Sequence, residues 1–187
     1  MSFDMTTGAL YVATNGQNLW EAIYVASEPG NYGWNILEGT HCFDPESPNT
    51  TPPAMACDRV DDMGNELMLP VIEYPHFANQ GDNPIAGISV IGGYMYRGSA
   101  IEDLQGMYVF GDWSMSFSEA QGQLFVATPN ESSANDDLWG ITQLDVIDFY
   151  VLGFGQDSEG ELYVLTTETT GPTGNTGAVH KIVPAQE

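Results

Sequence analysis

A seven-residue unit recurs three times in this chain: a glycine, then a run of apolar, aromatic and β-branched residues ending on Thr. It reads GALYVAT at 8–14, GQLFVAT at 122–128 and GELYVLT at 160–166, and a fourth relative, GMYVFGD, stands at 106–112. Each glycine follows turn-forming residues such as Thr7, Gln121 and Glu159, so the unit is a turn feeding a well-buried strand. Further strand patterns are EAIYVAS (21–27), LPVIEY (69–74), ISVIGGYMYR (88–97), TQLDVIDFYVLGF (142–154) and AVHKIVP (178–184). No segment sustains a helical period. The chain is therefore all-β, which leaves a sandwich, a barrel or a propeller. The recurring unit favours the repetitive architecture, since Gly122 and Gly160 are 38 residues apart, near the period of a propeller blade.

At 187 residues, 11% of them aromatic, the chain fills one ordinary domain and is not a disordered acidic tail. It carries 26 acidic side chains against three basic ones, Arg59, Arg97 and Lys181, for a net charge of -23. Nothing is left to neutralise a phosphate backbone, which excludes nucleic acid, and the same repulsion excludes anionic membrane surfaces. Such a surface is best tolerated where salt screens it or divalent cations bind it, so a saline or calcium-containing medium is expected. No apolar run approaches the roughly 20 residues that cross a bilayer, and the first residues lack an export-signal pattern.

Cys42 and Cys57 flank a stretch rich in Pro, Asp and Thr that has neither strand nor helix pattern. A disulfide between them would staple that stretch and imply an oxidising compartment. Two free core cysteines are the alternative; a zinc pair has less support, because His41 is the only imidazole nearby and four-ligand spacing is absent. The stapled stretch forms a long loop insertion over 28–68. Two more loops, 75–87 and 167–177, interrupt the strands, and loops of this length on a β scaffold are where function concentrates.

Four ordered blocks carry a resemblance to a known family: NGQNLWEAIYVASEPGNYGWNILEGTHCF (15–43), ISVIGGYMYRG (88–98), GMYVFGDW (106–113) and GFGQDSEGELYVL (153–165). They resemble the soluble quinoprotein glucose and sorbosone dehydrogenases, the aldose sugar dehydrogenases. The resemblance covers nearly the whole chain, 1–187. It implies a six-bladed propeller of four-stranded antiparallel blades, of which this chain is about three blades, the C-terminal half. It also implies pyrroloquinoline quinone (PQQ) with calcium on the propeller axis, oxidation of an aldose at C1 by hydride transfer, and an external electron acceptor. The family's general-base His and its Arg-Asn pair lie upstream of the first residue here. The half chain is thus expected to be inactive alone and to associate with the missing half or with itself. The complete protein is expected to be extracellular or periplasmic, with no membrane insertion.

Residue by residue, the resemblance puts the calcium-binding carbonyls at Gly16 and Gln17, where the dipeptide alone reads as a hairpin turn. It directs His76, in YPHFANQG, toward the pocket mouth as a ring for sugar or cofactor. Trp113, in GDW, is placed to stack on a quinone or sugar face, or to pack between blades. Arg97 is the nearest cation for the quinone's carboxylates, or a structural ion-pair partner. His41 is expected to pack in the stapled loop and His180 lies in a terminal strand; Asp157 and Glu159 read as turn acids. Two departures stand out: Ala22 replaces an acidic residue often found after Glu21, and the late loop DFYVLGFG lacks the arginines of sugar-oxidising relatives. A second reading follows from these losses: a non-catalytic, calcium-dependent propeller module similar to hedgehog-interacting proteins, holding a protein or a glycan.

Overall fold

The repeated glycine-led segments all become strands in a computed structural model, which describes residues 1–54, 57–130, 138–171 and 173–185. The order is β1 (Ser2–Phe3), β2 (Leu10–Thr14), β3 (Trp20–Ala26), β4 (Leu37–Glu38), β5 (His41–Cys42), β6 (Ile72–Pro75), β7 (Val90–Met95), β8 (Tyr108–Asp112), β9 (Gly122–Thr128), β10 (Gly140–Ile147), β11 (Tyr150–Gln156), β12 (Leu162–Thr167) and β13 (Ala178–Lys181). They form three blade-like antiparallel meanders. Sheet I has the order β1-β2-β3-β6, sheet II β7-β8-β9-β10 and sheet III β11-β12-β13, while β4 and β5 make a separate hairpin. The single pattern at 142–154 splits into β10 and β11, because Asp148 and Phe149 turn the chain from one sheet to the next.

Sheet II lies between the other two, and its strands show why. In β8 all five residues are buried. Tyr108 and Phe110 pack with Tyr11, Ile23, Ile72 and Tyr74 of sheet I, whereas Val109, one residue out of phase, packs with Leu162 of sheet III. Period-two alternation thus supplies a core on each face, and a strand covered on both faces reads as a continuous apolar run. Aromatic contacts bind the first core: Tyr11 stacks on Tyr108 at 4.8 Å between ring centroids, and Phe110 meets Phe125 at 5.3 Å.

Cys42 and Cys57 form a disulfide with a Cα–Cα distance of 5.8 Å. It holds the 28–68 loop, whose only regular structure among the described residues is the β4–β5 hairpin and an isolated bridge between Val60 and Glu66. Its small apolar cluster, Leu37, Cys42 and Leu67, has too little area to order a segment of this length by itself. Replacing both cysteines by serine is therefore expected to cost about 3 kcal/mol, the chain-entropy value for a loop of this size. Chemical denaturation of the double variant measures it, with the loss concentrated in loop amides under hydrogen exchange.

A recurring device fixes the loops to the sheets. Buried Glu38, Glu73, Asp112 and Glu161 each sit against a glycine, Gly16, Gly39, Gly87 and Gly98 respectively, so closely that a Cβ there would fall within 3 Å of the carboxylate. The residues after each glycine then turn their N–H groups onto the acid. Asn18, Leu19 and Trp20 donate to Glu38 Oε1 at 3.0, 2.9 and 3.1 Å. Ser99 and Ala100 donate to Glu161 Oε1 at 2.8 and 2.9 Å. Thr40 donates to Glu73, and Ile88 and Ser89 to Asp112. Consecutive N–H groups aimed at one anion form a nest, and glycine permits the approach.

Candidate functional site at the Gly16 end of the sheets

The β2–β3 turn, the loop after β6, the lead into β7 and the end of β8 meet at one end of sheets I and II. Two buried carboxylates organise them. Glu21, fully buried on β3, accepts from Val90 N–H at 2.6 Å, Asn15 Nδ2 at 3.2 Å and Gly16 N–H at 3.3 Å, and pairs with His76 Nε2. Asp112, fully buried at the end of β8, accepts from Tyr74 Oη at 2.8 Å, Ser89 N–H at 2.9 Å and Ser114 N–H at 3.2 Å. These acids tie sheet I to sheet II at the level of the candidate site.

Two clefts open on either side of the Gly16–Gln17 turn. The first, about 620 Å³, is lined by Gly16, Gln17, Trp20, Asn31, Trp34 and Glu38, among others. Trp34 is 58% exposed and is backed by Phe43 at 4.7 Å; Tyr32 meets Tyr24 edge-on at 5.4 Å. Two buried polar atoms on its lining residues have no protein partner: Trp20 Nε1, a donor, and Glu38 Oε2, an acceptor. The second cleft, about 510 Å³, is lined by Gly16, Gln17, His76, Ser89, Met115 and Phe117, among others.

Of the residues singled out in the sequence, Gly16, Gln17 and His76 therefore come together. Trp113 and Arg97 do not join them. Trp113 stacks on Tyr150 at 4.7 Å, and its carbonyl accepts from Val151 N–H, which places it between sheets II and III. Arg97 follows the far end of β7, eight residues and about 26 Å of extended chain from Ser89, and pairs with Asp4 through two bonds of 2.9 and 2.7 Å. The ion-pair role is the one its contacts describe. His41 stacks on Trp20 at 3.8 Å and bonds Glu73 at 2.9 Å, so it fastens the long loop to β6. His180 bonds Thr166 Oγ1 at 3.1 Å on the neighbouring strand. Asp157 accepts from Glu159 and Glu161 N–H in the turn before β12. The residues that sequence reasoning missed are Glu21, Glu38 and Trp20. The available signal was a lone acid within or beside an apolar strand that also lies after a Gly-led turn.

Protons in this region follow from burial and pairing. Burial pushes the Asp112 carboxyl up to about 6 despite its donors, and also raises Glu21 against its bonds from His76, Val90 and Gly16. Burial alone would lower His76, but the Glu21 hydrogen bond and charge carry it above its ordinary value. Both members of the pair are thus raised above their ordinary values, Glu21 by burial and His76 by its bond to Glu21. The native state binds more protons than the unfolded chain between the ordinary carboxylate value and about 6, so the Asp112 contribution weakens as pH rises through that window. The His76 contribution is likewise complete below its ordinary value and is lost as pH rises through the native one. Asp4, held down by the Arg97 guanidinium, acts oppositely and loses its contribution in strong acid. Thermal midpoints at constant ionic strength should rise from pH 8 to about 5 and fall below about 4. Asp112→Asn should flatten the segment between about 4 and 6.

The family-implied groups can be tested against these residues. A hard cation takes oxygen donors, and Glu38, whose Oε1 lies against Gly16, keeps Oε2 as an unclaimed carboxylate oxygen that suits it. The three carboxylates of PQQ do not fit this chain's donor set. Arg59 bonds the Thr40 carbonyl, Arg97 is taken by Asp4 and Lys181 lies over the Tyr163 ring; none of them lines either cleft, where the charged residues are Glu38 and His76. Among the described residues, no group of three or more His, Cys, Asp or Glu could hold a metal, and no helix is long and apolar enough to cross a membrane.

No family model matches the chain. It is similar to the HIPL1 protein of Arabidopsis thaliana, 29% identical over 183 residues, covering 89% of this chain and 24% of that protein. The Hedgehog-interacting protein of Homo sapiens is 31% identical over 100 residues, 54% of this chain and 14% of that protein. The chain thus spans about a quarter or less of the curated relatives it matches. Among solved structures, a glucose dehydrogenase superposes with a TM-score of 0.61 at 16% identity, covering 98% of this chain and 43% of that one. That likeness shows the fold: the three sheets are blades of a partial β-propeller.

Proposed function

We propose that this chain is a recognition portion of an extracellular or periplasmic β-propeller, and that it binds a neutral saccharide in the cleft between Trp20, Trp34 and Glu38. The observation that carries this reading is the pair of orphaned atoms. A buried donor and a buried acceptor each cost about 1–3 kcal/mol when unpaired, and a hydroxyl can satisfy either one, because it both donates and accepts. A sugar supplies several hydroxyls and an apolar ring face for an exposed Trp. The absence of a lining cation disfavours an anionic ligand. Calcium, if bound, would be held by Glu38 with the Gly16 and Gln17 carbonyls and would offer further coordination to sugar hydroxyls.

The dehydrogenase reading, a PQQ- and calcium-dependent aldose oxidation completed by a missing N-terminal half and an external acceptor, draws support from the glucose dehydrogenase likeness and from His76 in the second cleft. His76 is turned onto the buried Glu21 carboxylate, however, so the ring nitrogen that bonds Glu21 is not free to act on a ligand in the second cleft. The Hedgehog-interacting similarity adds a protein ligand as a further possibility for the same propeller.

The test is calorimetric titration of the purified chain with neutral mono- and oligosaccharides, with calcium and with EDTA. Trp34→Ala and Glu38→Gln should each weaken binding about tenfold, the worth of one stacked ring or one charge-assisted bond. Calcium-dependent PQQ binding without saccharide binding would sink the recognition reading and restore the oxidoreductase.

A further inference from the structure

The two clefts of the candidate site meet at the β2–β3 turn, and Asn15, Gly16 and Gln17 line both of them. Each cleft, at about 620 and 510 Å³, has the size of a site for one compact ligand, and together they exceed it. Each also presents one exposed aromatic ring with a second ring behind it. In the first cleft Trp34 is backed by Phe43; in the second Phe117, 72% exposed, lies 5.6 Å from Trp113.

The connection that carries Phe117 from β8 to β9 is tied down. Ser114 Oγ donates to the Glu119 carbonyl at 2.8 Å and accepts from Gln121 N–H at 3.0 Å, and Met115 N–H donates to the Gln121 carbonyl at 2.8 Å. Single exposed apolar side chains are ordinary, but two fixed rings flanking one polar turn form a ready surface for a ligand with apolar faces. Between the rings stands Gln17. Among the described residues its exposed side-chain amide has no partner, and an amide both donates and accepts. Asn15 beside it is already committed to Glu21 and Ser89. The polar group at the divide is therefore open to a ligand, while the group that holds the turn is occupied.

We propose that the two clefts act as one groove for a linear, neutral oligosaccharide of three or more hexose units. One ring stacks on Trp34, one stacks on Phe117, and the unit between them is hydrogen-bonded by the Gln17 amide as it crosses the turn. This rests on the saccharide reading above and names the size class of its ligand. A single sugar fills one cleft and leaves the other exposed ring in water, whereas a chain covers both rings and the turn. Neither cleft has a lining cation, so the chain is uncharged along its whole length.

The experiment is calorimetric titration of the intact chain with malto- and cello-oligosaccharides of one to five units. In one of the two series affinity should rise about tenfold or more between one and three units, the worth of a second stacked ring. Phe117→Ala should remove that gain while leaving monosaccharide affinity and the melting temperature unchanged, and Phe117→Trp should keep it. Equal affinity at every length, or a gain no larger than the number of rings competing for a single cleft, overturns the proposal and leaves the one-cleft saccharide reading in place. A gain with length that survives Phe117→Ala also overturns it, because the chain would then leave the first cleft by another path. No binding by any of these sugars overturns both.

Discussion

Asp112→Ala is expected to cost about 4 kcal/mol, a large share of the stability of a domain this size. The side chain is fully buried and accepts from Tyr74 Oη and from the N–H groups of Ile88, Ser89 and Ser114. Alanine would leave all four donors without partners in a dry site, and each buried orphan costs about 1–3 kcal/mol. Relaxation and water entry recover part of the sum. The loss should appear in denaturant midpoints with an unchanged slope. Asp112→Asn, which keeps the shape and one acceptor oxygen, should cost about half as much. Equal, small effects for the two variants would mean that the acid does not hold the β7 lead and β8 together.

Gly16→Ala is expected to cost about 3 kcal/mol and to abolish ligand binding in the first cleft. The backbone there is not in the left-handed region, so conformation is not the obstacle. Space is: a Cβ would overlap the Trp20 carbonyl and Glu38 Oε1. Overpacking usually costs about 1–3 kcal/mol, and the upper end applies when rigid backbone must move. The control is Gly140→Ala, where a Cβ meets nothing within 4 Å on an exposed strand, and which should be neutral or slightly stabilising. A crystal structure or amide spectrum of the Gly16 variant should show the β2–β3 turn displaced from Glu38.

The strands were legible because their information is local. GQLFVAT and GELYVLT announce their turn and their period within seven residues, and β9 and β12 follow them closely. The short strands β1 and the β4–β5 hairpin were not legible, since two residues carry no period; only their pairing, β1 with β2 and β4 with β5, defines them. The site was half legible. Gly16, Gln17 and His76 were found through a family likeness that encodes position, and they do converge. Glu38 and Trp20 were not found, because their significance is that bonds are missing, and a missing bond has no signature in a linear string. Arg97 was singled out as the only cation near the matched blocks; the Asp4 that claims it lies 93 residues earlier, just after a two-residue strand the pattern did not reveal.

The nests that hold Glu38, Glu73, Asp112 and Glu161 have a bearing on how such a composition can evolve. In most folds, discarding nearly every Lys and Arg would strand the buried carboxylates. Here these four lean on peptide N–H groups, which no substitution except proline can remove. The exterior is thereby uncoupled from the interior: surface charge is free to drift toward the needs of the surrounding medium while the internal wiring stays as it is. Proteins of this architecture should consequently tolerate wholesale surface recharging, in either direction, with the four glycines as the positions that drift cannot touch.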